Sequence, residues 1–351
     1  MRYQPFGRLS GLRVSQYVLG TANFGSSATS TGLDVAKDIH RAFLDAGGTT
    51  FDSSNIYQGG EAEAVLGDLL GRDRDDLVVI TKYSGSRQAD VRPGTAGNSR
   101  KIMFRSLDES LRSLQTDYVD VFMPHFPDGL TPMSEIQQAL EDLVRAGKIR
   151  YYGLSNFPAW RVAGAAVRSE LTGGGHLLGI QTEYSLAERS AERELLPMAQ
   201  AHGLGVMLYS PLAGGLLTGK YRNGEQGRLG AAGESTTPGE GTKQRTAVLD
   251  AVITVAEQIG TGPVQVALSW LRERAARSGT SLVPILGPRA PTHLQGYLDA
   301  LDVDLDAEQY ELLHDVSSVP LGTPHDDVAA AIAHGFDGDR RLIDDPALPV
   351  T

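Results

Sequence analysis

The chain has 351 residues and no cysteine, with 32 Lys and Arg against 43 Asp and Glu, a formal charge of −11 at pH 7. A chain of this length buries roughly three-quarters of the surface it exposes when unfolded, and without cysteine it has no disulfide framework, thiolate metal site or cysteine nucleophile. The acidic balance disfavours nucleic acid as a partner, which calls for a basic patch.

The first twenty residues, MRYQPFGRLSGLRVSQYVLG, carry charges and glycines where a signal peptide needs an apolar core. No run approaches the ~18 apolar residues of a membrane span. The expectation is a cytoplasmic enzyme that meets neither membrane nor nucleic acid. The first strand is expected over residues 17–19. The segment after it, GTANFGSS, lacks the glycine spacing of a dinucleotide-binding fingerprint, and Ser26 stands where a phosphate loop needs lysine. A second strand over 49–51 runs into Asp52 and then the loop NIYQGG, which holds Tyr57. A third over 77–81 ends at Lys82, after which Phe104, Leu107, Leu111 and Leu114 recur at helical spacing. A fourth over 118–123 leads to His125. The helix after it carries Ile136, Leu140, Leu143 and Val144, with Thr131 as N-cap, Pro132 in the first turn and Gly147 at the end.

Strands over 149–154, 178–181, 205–208 and 282–286 complete the series. They are followed by Ser155 and Asn156, by Gln181 and Glu183, by Tyr209 and Ser210, and by Gly287 and Arg289 respectively. Two segments fall outside the alternation. Residues 212–246, rich in Gly, Ser and Thr, read as a lid, a binding loop or an unordered stretch. Residues 319–351 form a tail with Pro and Asp after a last helix near 307–316.

Strict alternation of strand and helix implies a parallel sheet. Eight repeats favour a closed (β/α)₈ TIM barrel over an open doubly wound sheet, which would also want the glycine fingerprint. We expect a single domain over residues 1–351, with a core of about 7–318 and the tail beyond.

In such a barrel the chemistry sits at the C-terminal ends of the strands. Each candidate there has an ordinary reading: Asp52 as a turn cap, Lys82 as a solvated charge, His125 as a core histidine, Tyr57 as a loop aromatic. Together, Asp, Lys and His ending three consecutive strands share one rim. The set suits proton transfer coupled to hydride transfer. A carbonyl that receives hydride needs a proton on oxygen, and an ammonium beside tyrosine favours the phenolate and makes the phenol a better acid. A carboxylate holds the lysine, and histidine orients the substrate oxygen. Competing patterns fit poorly. None of the eight histidines forms H-E-x-x-H, and Gly153-Leu154-Ser155-Asn156-Phe157 fails as a nucleophile elbow at its last position. A glycosidase pair of Asp52 and Glu183, or a metal on Asp52 and His125, leaves Lys82 without a role or opposed to the ion; no metal is expected.

GRLSGLRVSQYVLGT, FDSSNIYQGGEAEAVLG, ITKY, VDVFMPHFPD, GKIRYYGLSNF, QTEYSL, LYSPLAGGLLTGKY and PILGPR follow one another in the order seen in the aldo-keto reductase family. The chain resembles that family over about residues 7–301, nearest to its channel β-subunit and bacterial sugar-pathway branch. The resemblance implies a TIM barrel with an N-terminal β-hairpin and a C-terminal extension, binding NADP(H) and reducing an aldehyde or ketone. Free aldehydes, nucleotide-linked keto- or enoyl-sugars and secondary-metabolite ketones are the candidate substrates, and a cofactor-sensing subunit is the alternative. By position Tyr57 is the proton donor, Lys82 its modulator, Asp52 the lysine's partner and His125 the substrate orienter. Gly20, Thr21 and Ala22 fall beside the cofactor. Ser155, Asn156 and Gln181 fall at its carboxamide, Tyr209 on the nicotinamide ring, and Ser210, Pro211, Leu212 and Lys220 along the pyrophosphate. Gly287, Arg289 and His293 fall at the adenosine end, where Gly296 and Tyr297 replace the Glu and Asn of many relatives.

Overall fold

The computed structural model describes residues 1–88, 90–173, 177–223 and 240–335. A short antiparallel hairpin, β1 (Tyr3–Pro5) and β2 (Arg13–Ser15), precedes the barrel. Its turn closes the N-terminal end. The fully buried Phe6 ring lies so near Gly179 and Gly205 that a Cβ at either would fall 2.6 Å from it, and Gly7 N donates to Ser281 Oγ at 2.8 Å.

The barrel strands are β3 (Val18–Gly20), β4 (Thr50–Asp52), β5 (Val78–Tyr83), β6 (Val119–Pro124), β7 (Ile149–Ser155), β8 (Leu177–Glu183), β9 (Gly205–Tyr209) and β10 (Leu282–Leu286). All pair in parallel and in sequence order, and β10 closes the ring by pairing with both β3 and β9. Side chains alternate along each strand. Val18, Ile80, Val121, Met123, Leu178, Met207 and Val283 form one apolar cluster, while Leu19, Val79, Phe122 and Ile180 join the larger cluster with the helices. Lys82 follows Ile80 by two residues and so shares its face, which turns the lysine into the barrel.

Helices α1 (Leu33–Asp45), α2 (Glu61–Leu70), α3 (Arg100–Leu114), α4 (Met133–Arg145), α5 (Ala159–Thr172) and α6 (Leu195–Ala201) cover the first part of the wall. Among the described residues, two helices, α7 (Lys243–Ile259) and α8 (Pro263–Ala276), lie between β9 and β10, followed by α9 (Pro291–Asp299), α10 (Ala307–Ser317) and α11 (His325–Gly335). The expected apolar stripes are present: Leu107, Leu111 and Leu114 on α3, and Ile136, Leu140 and Leu143 on α4, are buried. Arg189 docks α10 by donating to His314 O at 2.6 Å and Ser317 Oγ at 2.8 Å.

Three local expectations are corrected. Pro132, not Thr131, is the N-cap of α4, because the Asp128 carboxylate accepts from both the amide and the hydroxyl of Thr131 and holds it in the preceding turn. The 212–246 segment is not uniformly irregular. Short 3₁₀ turns form at Ala213–Thr218 and Lys220–Asn223, and α7 starts within it at Lys243, where the Thr242 hydroxyl accepts from Arg245 N; residues 224–239 lie outside the described residues. The helix near 307–316 is not the last, since the tail folds into α11 before residues 336–351 leave the described part. No helix among the described residues is long and apolar enough to cross a membrane.

Candidate active site

At the C-terminal rim, β4 delivers Asp52 and β5 delivers Lys82. Lys82 is completely buried, and its Nζ donates to Asp52 Oδ2 at 2.7 Å, to Ser53 O at 2.7 Å and to the Tyr57 hydroxyl at 3.4 Å. The other Asp52 oxygen accepts from Gln181 Nε2 at 2.9 Å. Burial alone pulls the ammonium's pKa down. The carboxylate of Asp52 and the phenol of Tyr57 outweigh it, so Lys82 stays charged with a pKa above its usual value. Asp52, 2% exposed, is committed on both oxygens, to Lys82 and to Gln181.

His125 follows β6. Its amide donates to Tyr83 O at 2.8 Å and to Ser84 Oγ at 3.1 Å, its Nδ1 meets Ser54 Oγ at 3.1 Å, and its ring stands edge-on to Tyr57 at 5.8 Å. Burial first, and then the Lys82 charge, lower its pKa to about 3. The ring is therefore neutral near pH 7 and orients a neighbour without charging it. Asn156, in the left-handed region at φ 61°, donates to His125 O at 2.9 Å and accepts from the Tyr209 hydroxyl at 2.9 Å. Burial, then the Glu183 carboxylate, push Tyr209 up to about 12, so this phenol stays protonated.

These groups sit at one end of a cavity of about 960 Å³. It runs past Ser210, Pro211 and Leu212 and past Gly214 and Gly215 to Lys220, Arg289, His293 and Tyr297 at the other end. The donor set fits an extended dinucleotide. Glycines at 20, 214, 215, 262, 287 and 296 keep the channel clear of side chains, and the far end is cationic. The Arg289 guanidinium is oriented by Thr29 O at 3.0 Å, and burial, then Lys220 and Arg289, keep the His293 pKa below its usual value.

Of the residues expected at the site, Gly20, Ala22, Asp52, Tyr57, His125, Asn156, Gln181, Tyr209, Ser210, Pro211, Leu212, Lys220, Gly287, Arg289 and His293 line this cavity. Thr21, Lys82 and Ser155 do not. Thr21 is buried and donates twice to Asp52 O, from its amide at 2.9 Å and its hydroxyl at 3.1 Å, so it buttresses the rim. Ser155 accepts from Asn156 Nδ2 at 3.1 Å behind the wall. Sequence reasoning missed Ser54 against His125, Asn23 (whose amide reaches Gly287 O at 3.3 Å) and Gln265 on α8 (whose amide donates to Gly296 O at 2.7 Å). Ser54 was visible only as turn chemistry after a strand; Gln265 arrives on a helix far along the chain and had no local signal.

A closed parallel barrel with a buried lysine–carboxylate pair and a half-buried tyrosine at its C-terminal rim defines an enzyme of the barrel class, with its chemistry at the strand ends. Residues 17–318 match the Aldo/keto reductase family, to which this chain belongs, placing it among oxidoreductases that act on carbonyl and alcohol groups. It is similar to the uncharacterised oxidoreductase YrpG of Bacillus subtilis, 35% identical over 92% of this chain and 98% of that protein. It is also 30% identical to aryl-alcohol dehydrogenase [NADP(+)] of Phanerodontia chrysosporium, over 92% and 88% of the two chains. A putative voltage-gated potassium channel subunit beta of Schizosaccharomyces pombe is 35% identical, over 90% and 92%.

Proposed function

We propose that the protein reduces an aromatic aldehyde or ketone to the alcohol with NADPH. The observation that carries this reading is the Lys82 ammonium bridging Asp52 and the Tyr57 hydroxyl in the cavity wall. The nicotinamide cofactor, when bound, supplies the hydride. Tyr57 gives its proton to the carbonyl oxygen, and the ammonium 3.4 Å away stabilises the phenolate left behind. Asp52 holds that ammonium in place, and neutral His125 hydrogen-bonds the substrate oxygen. For the cofactor, Asn156 and Gln181, with Ser155 behind them holding Asn156, would bind the carboxamide, and Tyr209 would stack on the nicotinamide ring. Ser210, Pro211, Leu212 and Lys220 would run along the pyrophosphate, and Arg289 and His293 would hold the adenosine 2′-phosphate.

An aromatic substrate is favoured by two observations. Tyr57, His125 and Tyr209 give the cavity an aromatic lining, and Phe126, 39% exposed, leans on the His125 ring at 5.5 Å. The name of the Phanerodontia relative also points to aryl alcohols and NADP. The test is NADPH consumption with nitrobenzaldehyde and a panel of aryl ketones, diketones and nucleotide keto-sugars. Turnover of aryl carbonyls supports the reading. Tight NADPH binding with no turnover of any carbonyl would instead favour a cofactor-sensing subunit, in line with the name of the Schizosaccharomyces relative.

A further inference from the structure

We propose that Arg87 is a positioning residue for the proton donor: its guanidinium clamps the segment that carries Tyr57 against β5, α2 and α3. The inference rests on Tyr57 acting as the proton donor. Tyr57 is not on a strand. It lies in the connection between β4 and α2, so its distance from Lys82 depends on how that connection is held against β5.

The connection is tied by main-chain contacts at its near end, where Ser53 N donates to Ile80 O at 2.8 Å and Asn55 N to Lys82 O at 2.9 Å. Beyond that point Arg87 takes over. Its Nε donates to Asn55 O at 3.0 Å, one terminal nitrogen donates to Ser113 Oγ on α3 at 3.1 Å, and the other pairs with Glu63 on α2. In return, Asn55 Nδ2 donates to Gly85 O, two residues before Arg87, at 3.0 Å. The side chain also lies flat on the end of the Tyr57 turn: a Cβ at Gly60, where φ is 100°, would fall 3.0 Å from Arg87 Cδ and Nε.

The anchor is rigid. Glu63 is fully buried, and its second oxygen accepts from Thr81 Oγ1 on β5. One planar fork thus joins the two sides of the Tyr57 connection to the strand that carries Lys82. Lysine, a point charge on a flexible stem, can neutralise Glu63 but cannot reproduce three directed bonds.

Releasing the clamp lets the Tyr57 hydroxyl move away from Lys82. Proton delivery is then misplaced, and the ammonium stabilises the phenolate less. Reduction needs Tyr57 protonated, so its rate falls as pH rises through the Tyr57 titration. A weaker ammonium contact moves that fall to higher pH. Groups near Tyr57 include Lys82, His125 and Tyr209, with Asp52 on Lys82 and Glu183 beside Tyr209, and all of these remain in an Arg87 variant. Arg87 does not line the cavity, so cofactor affinity should not follow.

The experiment compares the parent with Arg87→Lys, measuring kcat, KM, the alkaline limb of kcat against pH, NADPH Kd by fluorescence and melting temperature. We expect kcat to fall roughly tenfold, the alkaline limb to rise by about half a pH unit or more, and the Kd to stay within about twofold. A folded variant with the parent's kcat, or with lower kcat and an unmoved limb, overturns the inference and leaves Arg87 a merely structural partner of Glu63. Should Arg87→Lys fail to fold, the double variant Glu63→Gln with Arg87→Gln removes both charges together, and the same two readouts decide. Tyr57→Phe is measured alongside. Retained activity in that variant would defeat Tyr57 as donor, a failure separate from that of the clamp.

Discussion

Lys82 Nζ lies 2.7 Å from Asp52 Oδ2 within the barrel wall, with the two side chains 0% and 3% exposed. An ion pair so thoroughly removed from water is costly to assemble, and replacing such pairs by apolar residues is frequently neutral or stabilising. Its presence at the rim is better explained by the third contact of the same ammonium, the one to Tyr57, than by stability.

Replacing Tyr57 with Phe keeps the ring and removes the hydroxyl. Carbonyl reduction should fall by roughly 10²–10⁴-fold, the usual weight of general acid catalysis. NADPH binding, measured by fluorescence, should be nearly unchanged. A kcat close to the parent's would remove Tyr57 from the mechanism.

Lys82→Met leaves Asp52 buried with only Gln181 on one oxygen. Losing one partner of a buried pair costs about 3–5 kcal/mol, so the melting temperature and the activity should both drop. Adding Asp52→Asn should restore much of the stability and none of the activity. A double variant no more stable than Lys82→Met would show that the pair is not energetically coupled.

Arg289→Ala should raise the KM for NADPH roughly ten- to a hundredfold, from the loss of a charge-assisted contact of about 1.5–3 kcal/mol. NADH kinetics should hold, because that cofactor has no 2′-phosphate. Equal losses with both would assign Arg289 to the loop it holds at Thr29.

The His125 pKa is lowered from 6.5 to about 3 in the folded chain. The unfolded chain therefore takes up this proton first as pH falls, which favours unfolding progressively from about 6.5 down toward 3. His125→Asn should flatten the loss of stability over that window in urea titrations at successive pH values. The same shift means His125 does not titrate near neutrality, so an activity limb between pH 6 and 8 that persists in His125→Asn belongs to another group.

The barrel was legible because its signals are local. Each β-branched run followed by a 3.6-residue apolar stripe marks one β/α unit, and eight units in series leave few ways to close a sheet. The strand ends were legible for the same reason, and Asp52, Lys82 and His125 all stand where their strands stop. Thr131 was misread because its cap partner, Asp128, acts through side-chain bonds that no periodicity reports.

Residue order alone thus determined the alternation, the barrel and the identity of the polar groups on its rim, since side-chain period and turn chemistry act over a few neighbours. Only the tertiary structure decided what those groups do to one another. That Lys82 is buried and bridges Asp52 to Tyr57, that Thr21 and Ser155 stand behind the wall, and that Arg87 grips Asn55 from the segment after β5 are facts of distance. Electrostatic and hydrogen-bond energies vary steeply with separation and burial, and both are set by how strands far apart in the chain are brought side by side when the barrel closes.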